Sequence, residues 1–329
     1  MLTTTHNWEW HCTIKFMMYK GDTMKYKNFS KIQLILIHTL VLLHLFLINT
    51  AAWAKKPVIV TTYQYIASIT EQITGNSATV IALAPPQFDP HYIVPKPSYI
   101  AKLRKADLLI INGAQLEIGW LPQLIRQANN PAIITGTKGF LDLSNFVKKI
   151  DVPTAISRAM GDVHPEGNPH FYLDPHNIPV LAKAIYERLC TIVPKNYNLY
   201  SKNYTTFIEK FNAKLTVWDT QMTKVKGKSA IEYHKNYDYL LIRYSIHLAG
   251  TIEPVPGIPP TSKHIAKLEK TIYTVSFILQ NVYHPYDAVQ YLSQKYSIPV
   301  IVLPHDVGAT SDSNDIFSLF DSIVGRITQ

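Results

Sequence analysis

Histidine and aspartate residues follow predicted β-strands in short segments, most of which contain proline. His91 lies in FDPH, His170 in GNPH and His234 in EYH. The segment LPHD near the C-terminus places His305 and Asp306 in an equivalent position. Three neutral imidazoles and one carboxylate form an N3O donor set that suits tetrahedral Zn²⁺. The pattern therefore predicts a metal site whose ligands come one at a time from four segments.

Prolines stand immediately before His91 and His170, in DPH and NPH. Because proline fixes its φ angle, less backbone entropy is lost when the neighbouring imidazole closes on a metal. The fourth ligand has two candidates, and we favour Asp306 over the alternative His305. Glu253 at a predicted strand end and Asp174 in YLDP are candidate acceptors that orient a ligand imidazole.

Four other histidines have structural interpretations. His176 is expected to be a cap or surface residue at the start of a helix. His247, His264 and His284 lie in predicted helix or loop positions without a metal-like partner, so they are expected to be solvated.

Two sets of alternating strands and helices must position the candidate ligands. Strands are predicted in the first set at Val58–Thr62, Thr79–Leu83, Asp107–Asn112 and Ala132–Thr135. In the second set they are predicted at Ser229–Tyr233, Thr251–Glu253, Val275–Leu279 and Val300–Leu303. Such alternation is typical of parallel sheets with helices on their faces.

A helical segment separates the two sets. Its second part carries one apolar stripe with residues three or four apart, namely Phe207, Phe211, Leu215, Trp218 and Met222. The predicted fold is α/β, with two lobes that each hold a mostly parallel four-stranded sheet, joined by a long rigid linker helix. Ligands of open parallel sheets bind beyond the carboxyl ends of the strands, so the predicted metal site lies in the interlobe cleft.

The predicted boundaries divide the chain into five parts. Residues 1–23 are expected to be an over-long start or a disordered extension, and 24–54 a signal peptide with an apolar run at 32–49 and cleavage after Ala54. A retained membrane anchor is the alternative for this run. The N-terminal lobe is predicted at 55–176, the helical segment at 177–226 and the C-terminal lobe at 227–329.

Composition argues against several other functions. Residues 1–54 carry five lysines and two carboxylates, or +3 of the net charge of +9, and the remaining +6 is scattered. Nucleic-acid binding therefore has little support. Only Cys190 follows the predicted signal peptide, so no internal disulfide is expected there. The chain has no H-E-x-x-H, G-x-S-x-G or phosphate-cradling loop, which disfavours a zinc hydrolase, the rival interpretation.

Four segments resemble the zinc/manganese solute-binding proteins of ABC transporters. They are FDPHYIVPKPSYIAKLRKADLLIING, GDVHPEGNPHFYLDP, EYHKNYDYLLIRYSIHLAGTIEPVPGIPP and VLPHDVGA. The resemblance implies a bilobal, monomeric, periplasmic binding protein that is not an enzyme and that delivers its ion to a membrane permease. It also implies that His91, His170 and His234 are ligands, with a carboxylate after the last strand. Histidine at the third position resembles zinc members, so Zn²⁺ is expected in preference to Mn²⁺ or Fe²⁺.

The chain departs from this family in two respects. The fourth ligand is ambiguous, because the exit of the last strand reads Pro304-His305-Asp306. The histidine- and aspartate-rich loop that is familiar in zinc importers is missing, and only His164 stands near its expected place. A periplasmic zinc chaperone or a metal-dependent adhesin on the same fold are the alternative functions.

Overall fold

The computed structural model describes residues 16–18, 25–27, 32–33, 35–40, 55–154 and 164–329. These residues belong to two compact units, Met1–Lys55 and Lys56–Gln329. In the first unit, Phe16–Met18 pairs antiparallel with Lys25–Lys27. Within the described part of the chain, no helix is long and apolar enough to cross a membrane.

Most of the predicted N-terminal extension and of the predicted signal peptide lies outside the described residues. The same holds for the predicted cleavage site after Ala54.

Four parallel strands form the sheet of the first lobe. They are β1 (Val58–Thr61), β2 (Thr79–Ala82), β3 (Leu108–Ile111) and β4 (Phe140–Asp142), in the spatial order β2-β1-β3-β4. The flanking helices are α1 (Gln64–Thr74), α2 (Pro97–Arg104) and α3 (Leu121–Ala128). The central strands are almost entirely apolar, as expected for a sheet that is covered on both faces.

The fourth strand differs from its predicted position at Ala132–Thr135. Pro131–Ile133 forms a 3-10 turn there, and the Asn130 side chain accepts a hydrogen bond from the Ala132 amide. Proline lacks the amide hydrogen that a sheet ladder needs, and the asparagine cap favours a turn. The chain pairs with β3 only at Phe140–Asp142.

The second lobe repeats the parallel arrangement. Its strands are β5 (Ser229–Glu232), β6 (His247–Thr251), β7 (Phe277–Asn281) and β8 (Val300–Leu303), in the order β8-β7-β5-β6. Its helices are α6 (Asp238–Arg243), α7 (Ser262–Leu268), α8 (Asp287–Tyr296) and α9 (Ile316–Thr328). Strand β6 begins at His247, four residues before its predicted start at Thr251, because α6 ends at Arg243 and leaves the following residues free to pair with β5.

Two helices, α4 (Ile178–Ile192) and α5 (Tyr197–Met222), connect the lobes. The predicted apolar stripe of α5 is buried, and Phe207, Phe211 and Trp218 pack edge-on or tilted against Phe317 and Phe320 of α9. Helix α5 also packs against α1 of the first lobe. The predicted two-lobed α/β fold is thus confirmed, with the long helix in contact with both lobes.

Hydrogen bonds also join the lobes beside the cleft. The Tyr239 hydroxyl donates to the Asn168 carbonyl at 2.8 Å, and Asn168 Nδ2 donates to the Lys235 carbonyl at 2.9 Å. On the other side, the Ile316 amide donates to Ser68 Oγ at 3.0 Å. These bonds hold the carboxyl ends of the two sheets close together.

Candidate metal centre

Three imidazoles converge between the lobes. Ring nitrogens of His91, His170 and His234 all lie within 4.8 Å of one another. Their ring centroids are 5.2 to 5.6 Å apart, and the rings meet at angles of 67° to 88°. Three imidazoles on one tetrahedral zinc ion, with Zn–N distances of about 2.0–2.1 Å, would have centroids about 5.2 Å apart. The group is therefore close to the geometry of a three-histidine metal site.

Short turns after the strands present two of these residues. His91 lies in the 3-10 turn Pro90–Tyr92 that follows β2, and His234 lies two residues beyond the end of β5. His170 stands immediately before the 3-10 turn Phe171–Leu173.

The local sequence shapes the loop that carries His170. Gly167 has φ +100°, and a Cβ there would lie 2.6 Å from the Ile150 carbonyl oxygen. Only glycine adopts this conformation without strain. Asn168 Oδ1 then accepts the His170 amide at 2.9 Å, which fixes the backbone just ahead of the imidazole.

Asp89 orients the imidazole of His91. Its Oδ1 lies 2.7 Å from His91 Nδ1 and 2.9 Å from the His91 amide nitrogen. Burial alone would raise the pKa of Asp89, but the hydrogen bond from His91 and the nearby imidazole charge lower it to about 2. The ionised carboxylate accepts the Nδ1 proton, so the Nε2 lone pair of His91 faces the cleft. Sequence reasoning missed Asp89, although its position two residues before His91 was a usable signal.

Glu253 has the same relation to His234. Glu253 Oε2 lies 2.7 Å from His234 Nδ1 and also accepts the Gly257 amide at 3.0 Å. A carboxylate on Nδ1 again leaves Nε2 as the free donor atom. Glu253, the predicted orienting residue, is thus hydrogen-bonded to His234 in the structure.

His170 is the most buried member of the group, with 1% of its surface exposed. Neither of its ring nitrogens has a hydrogen-bond partner among the described residues. Burial, followed by repulsion from His91 and His234, holds the pKa of His170 well below its ordinary value. A buried polar group without a partner is costly and requires an explanation, and a neutral imidazole with a free lone pair is what a metal needs.

A fourth imidazole, that of His164, adjoins the group. Its Nε2 lies 3.2 Å from His91 Nε2, and the two rings stack with centroids 5.2 Å apart. Burial, together with the nearby imidazoles of His91 and His234, lowers the pKa of His164 to about 3. Two cavities, of 390 and 500 Å³, meet at this residue, the first lined also by His170 and His234 and the second by His91.

The structure brings neither candidate for the fourth ligand into the group of three. Asp306 accepts three backbone amides, those of Gln64 at 3.0 Å, Tyr65 at 2.7 Å and Val307 at 2.8 Å. It thereby serves the N-terminus of α1, whose first amides lack partners within the helix. Burial raises the pKa of Asp306 to about 7, against the lowering effect of these bonds.

The alternative candidate, His305, faces a different group. Its Nε2 lies 3.1 Å from the Phe88 carbonyl oxygen, and its ring meets Tyr283 edge-on. The structure therefore directs both His305 and Asp306 to partners other than the three imidazoles.

Asp174 has a partner other than a ligand imidazole. Its carboxylate is paired with Arg243 at 2.9 Å and accepts the His176 amide at 3.0 Å. The prediction that Asp174 orients a ligand imidazole is thus not met by the geometry. His176 itself is bonded to Asp219 at 2.8 Å, away from the three imidazoles.

His284 corrects the expectation of a solvated side chain. It is 7% exposed and stacks on Tyr233 with centroids 4.2 Å apart, while its Nδ1 accepts the Asn281 amide. Burial lowers its pKa to about 3. Of the other two, His247 is exposed, and His264 is bonded to the Thr251 carbonyl oxygen.

Similar proteins define the class to which this architecture belongs. The fold matches the cadmium-bound periplasmic metal-binding protein of Candidatus Liberibacter asiaticus with a TM-score of 0.69 at 18% identity, covering 83% of this chain and 98% of that one. The chain is 33% identical over 263 residues to the metal ABC transporter substrate-binding lipoprotein SloC of Streptococcus mutans, or 77% of this chain and 83% of SloC.

The family is identified by the greater part of the chain. Residues 59–329 match the family described as zinc-uptake complex component A, periplasmic (ZnuA). The zinc-binding lipoprotein AdcA of Streptococcus pneumoniae is 24% identical over 239 residues, which cover 73% of this chain and 47% of AdcA. The chain belongs to the ZnuA family of metal ABC transporter substrate-binding proteins, and it is a binding protein, not an enzyme.

Proposed function

We propose that this protein binds one divalent ion, zinc in preference to manganese, outside the cytoplasm and delivers it to the membrane permease of an ABC importer. The ligands are His91, His170 and His234, two from the first lobe and one from the second. Residues 24–54 direct export to the periplasm, and the two lobes at 55–176 and 227–329 enclose the ion.

One observation carries this proposal. The ring nitrogens of the three histidines lie within 4.8 Å of one another, and both nitrogens of the buried His170 lack a hydrogen-bond partner among the described residues. An ion at the centre of the group would satisfy the orphaned nitrogen that faces it. Partnerless imidazole nitrogens at such spacing have no comparable use in core packing.

The donor set supports zinc. Imidazole nitrogen suits zinc, whereas manganese prefers carboxylate, carbonyl and water oxygens. The two nearby carboxylates, Asp89 and Glu253, accept Nδ1 protons from the imidazoles and serve as their orienting partners. In these roles they leave nitrogen as the main donor to the ion.

Metal analysis and calorimetric titration test the proposal. Protein purified without added metal, then stripped with a chelator, is titrated with Zn²⁺ and separately with Mn²⁺. We expect one ion per chain and tighter binding of zinc than of manganese. The control His247→Ala should bind both ions as the wild type does, because His247 is exposed and is not a predicted ligand. Binding no tighter than micromolar for either ion would refute the proposal, and a preference for manganese would refute the assignment to zinc.

Growth measurements test the transport step. A strain that lacks the gene should grow poorly under zinc chelation and recover with added zinc but not with manganese. Recovery with manganese alone would contradict a zinc importer even if the purified protein binds zinc.

A further inference from the structure

His164 has an unusual relation to the candidate ligands. Its Nε2 is 3.2 Å from His91 Nε2. In a tetrahedral zinc site with Zn–N distances of about 2.0–2.1 Å, two ligand nitrogens are about 3.3–3.4 Å apart. The pair is thus already at the separation of two ligands on one ion. His164 does not belong to the group of three whose ring nitrogens lie within 4.8 Å of one another, so its ring must move towards His170 and His234 to share the ion.

The tautomers of the two rings determine which nitrogen donates and which accepts in this contact. Asp89 accepts the Nδ1 proton of His91, so His91 Nε2 carries a lone pair. His164 Nε2 must therefore donate its proton to that lone pair. If an ion binds His91 Nε2, this hydrogen bond is lost, and the His164 proton can move through solvent to its own Nδ1. The ring stays neutral, and its Nε2 lone pair becomes available to the same ion.

We propose that His164 is the fourth imidazole ligand, which completes a tetrahedral four-histidine site. This inference rests on the proposed function of the other three histidines. The donor set would then be all nitrogen, with three ligands from the first lobe and His234 from the second.

Other observations support His164 over the residues after the last strand. The Asp306 carboxylate accepts hydrogen bonds from three backbone amides and would lose them if it moved to bind the ion. His305 faces the Phe88 carbonyl oxygen. His164 instead lines both cavities that reach the group, so its imidazole stands where an entering ion passes.

Co²⁺ and Zn²⁺ serve as the probes, and the protein is purified after export. Co²⁺ absorption reports four-coordinate geometry, and competition with a chromophoric chelator gives the zinc affinity. We expect His164→Ala to weaken zinc binding about 100-fold, because loss of even an orienting partner costs roughly tenfold or more. The intense cobalt bands should weaken as well, and added imidazole should restore them.

His164→Gln is the second variant, because its amide can still donate to His91 Nε2 while it lacks an imidazole. It should lose affinity as His164→Ala does, and His247→Ala should match the wild type. If His164→Ala or His164→Gln binds zinc as tightly as the wild type, or more tightly, His164 only covers the His91 lone pair and the inference is refuted. In that case His170→Ala still abolishes binding, and the proposed function stands. If the wild type takes up no cobalt or zinc, both fail together.

Discussion

The two lobes orient their imidazoles by the same chemistry but from different distances along the chain. In the first lobe, Asp89 holds His91 from two residues upstream, within a single turn. In the second, Glu253 holds His234 from 19 residues downstream, after strand β6 at the edge of the sheet. Both carboxylate–imidazole distances are 2.7 Å. The first support is thus a property of a tetrapeptide, whereas the second exists only once β5 and β6 have paired.

The lobes also differ in how they satisfy a buried carboxylate near the strand ends. Glu117 in the first lobe accepts hydrogen bonds from Thr62 Oγ1 and from the amides of Asn112 and Gly113. Glu232 in the second accepts the Tyr237 amide through Oε2, while its Oε1 lacks a hydrogen-bond partner among the described residues. The buried carboxylate of the first lobe therefore has more of its hydrogen-bonding capacity satisfied than that of the second.

The largest expected effect tests whether each lobe supplies an indispensable ligand. A ligand that binds only the folded protein stabilises it by roughly 4 kcal/mol at a thousandfold excess over Kd. We expect zinc to raise the melting temperature of the wild type, and His170→Ala or His234→Ala to abolish that rise. His176→Ala should retain it, because His176 is bonded to Asp219 outside the group. If His176→Ala abolishes the rise and His170→Ala retains it, His176 and not His170 is the ligand in this segment.

The next effect concerns the buried carboxylate of the first lobe. Burial raises the pKa of Glu117 from 4.5 to about 7, although its three hydrogen bonds lower it. The folded protein therefore binds more protons than the unfolded chain between these values, and the contribution of Glu117 is greatest below pH 4.5 and is lost as the pH rises through 7. That loss is roughly 3 kcal/mol.

Denaturant unfolding of the metal-free protein between pH 4.5 and 7 measures this contribution. Relative to the wild type, Glu117→Gln should gain stability with rising pH across the window, whatever its absolute stability. Parallel pH profiles for the two proteins would show that Glu117 is ionised throughout.

A smaller effect compares the two orienting carboxylates directly. Asp89→Ala and Glu253→Ala should each weaken zinc binding by about 10–100-fold, as is typical when the partner of a metal-bound histidine is lost. Similar losses are expected because the two hydrogen bonds have equal length. Chelator competition measures both affinities. A loss confined to one variant would mean that only one of the two imidazoles needs its carboxylate to be oriented for metal binding.

The smallest effect tests whether Asp306 stabilises the contact between the lobes without binding the metal ion. Asp306→Ala removes the acceptor for the first amides of α1 and should destabilise the metal-free protein by about 1 kcal/mol, as loss of a helix cap does. Zinc affinity, measured by the same competition assay, should stay close to that of the wild type. A loss of affinity as large as that of His170→Ala would restore Asp306 as the fourth ligand.

The sequence alone determined the class of fold and three members of the group of imidazoles. Strand β8 has its predicted bounds, and the stripe of α5 from Phe207 to Met222 is buried as predicted. These features are local, because periodicity and turn residues act over a few positions. His91, His170 and His234 could be recognised because each follows a strand or stands in a proline-containing turn, and parallel strands end at one edge of their sheet.

The tertiary structure alone decided the contacts between residues that are distant in sequence. Strand β4 has only three residues, too few for a periodic pattern, and it is a strand because β3 offers it a hydrogen-bonding edge. His284 was expected in solvent but is buried because Tyr233 stacks on it. Asp306 follows a strand as a ligand would, yet the amides at the start of α1 come within hydrogen-bond reach of its carboxylate. Contacts across 241 or 242 residues of chain leave no trace in local sequence, because they depend on how the lobes pack.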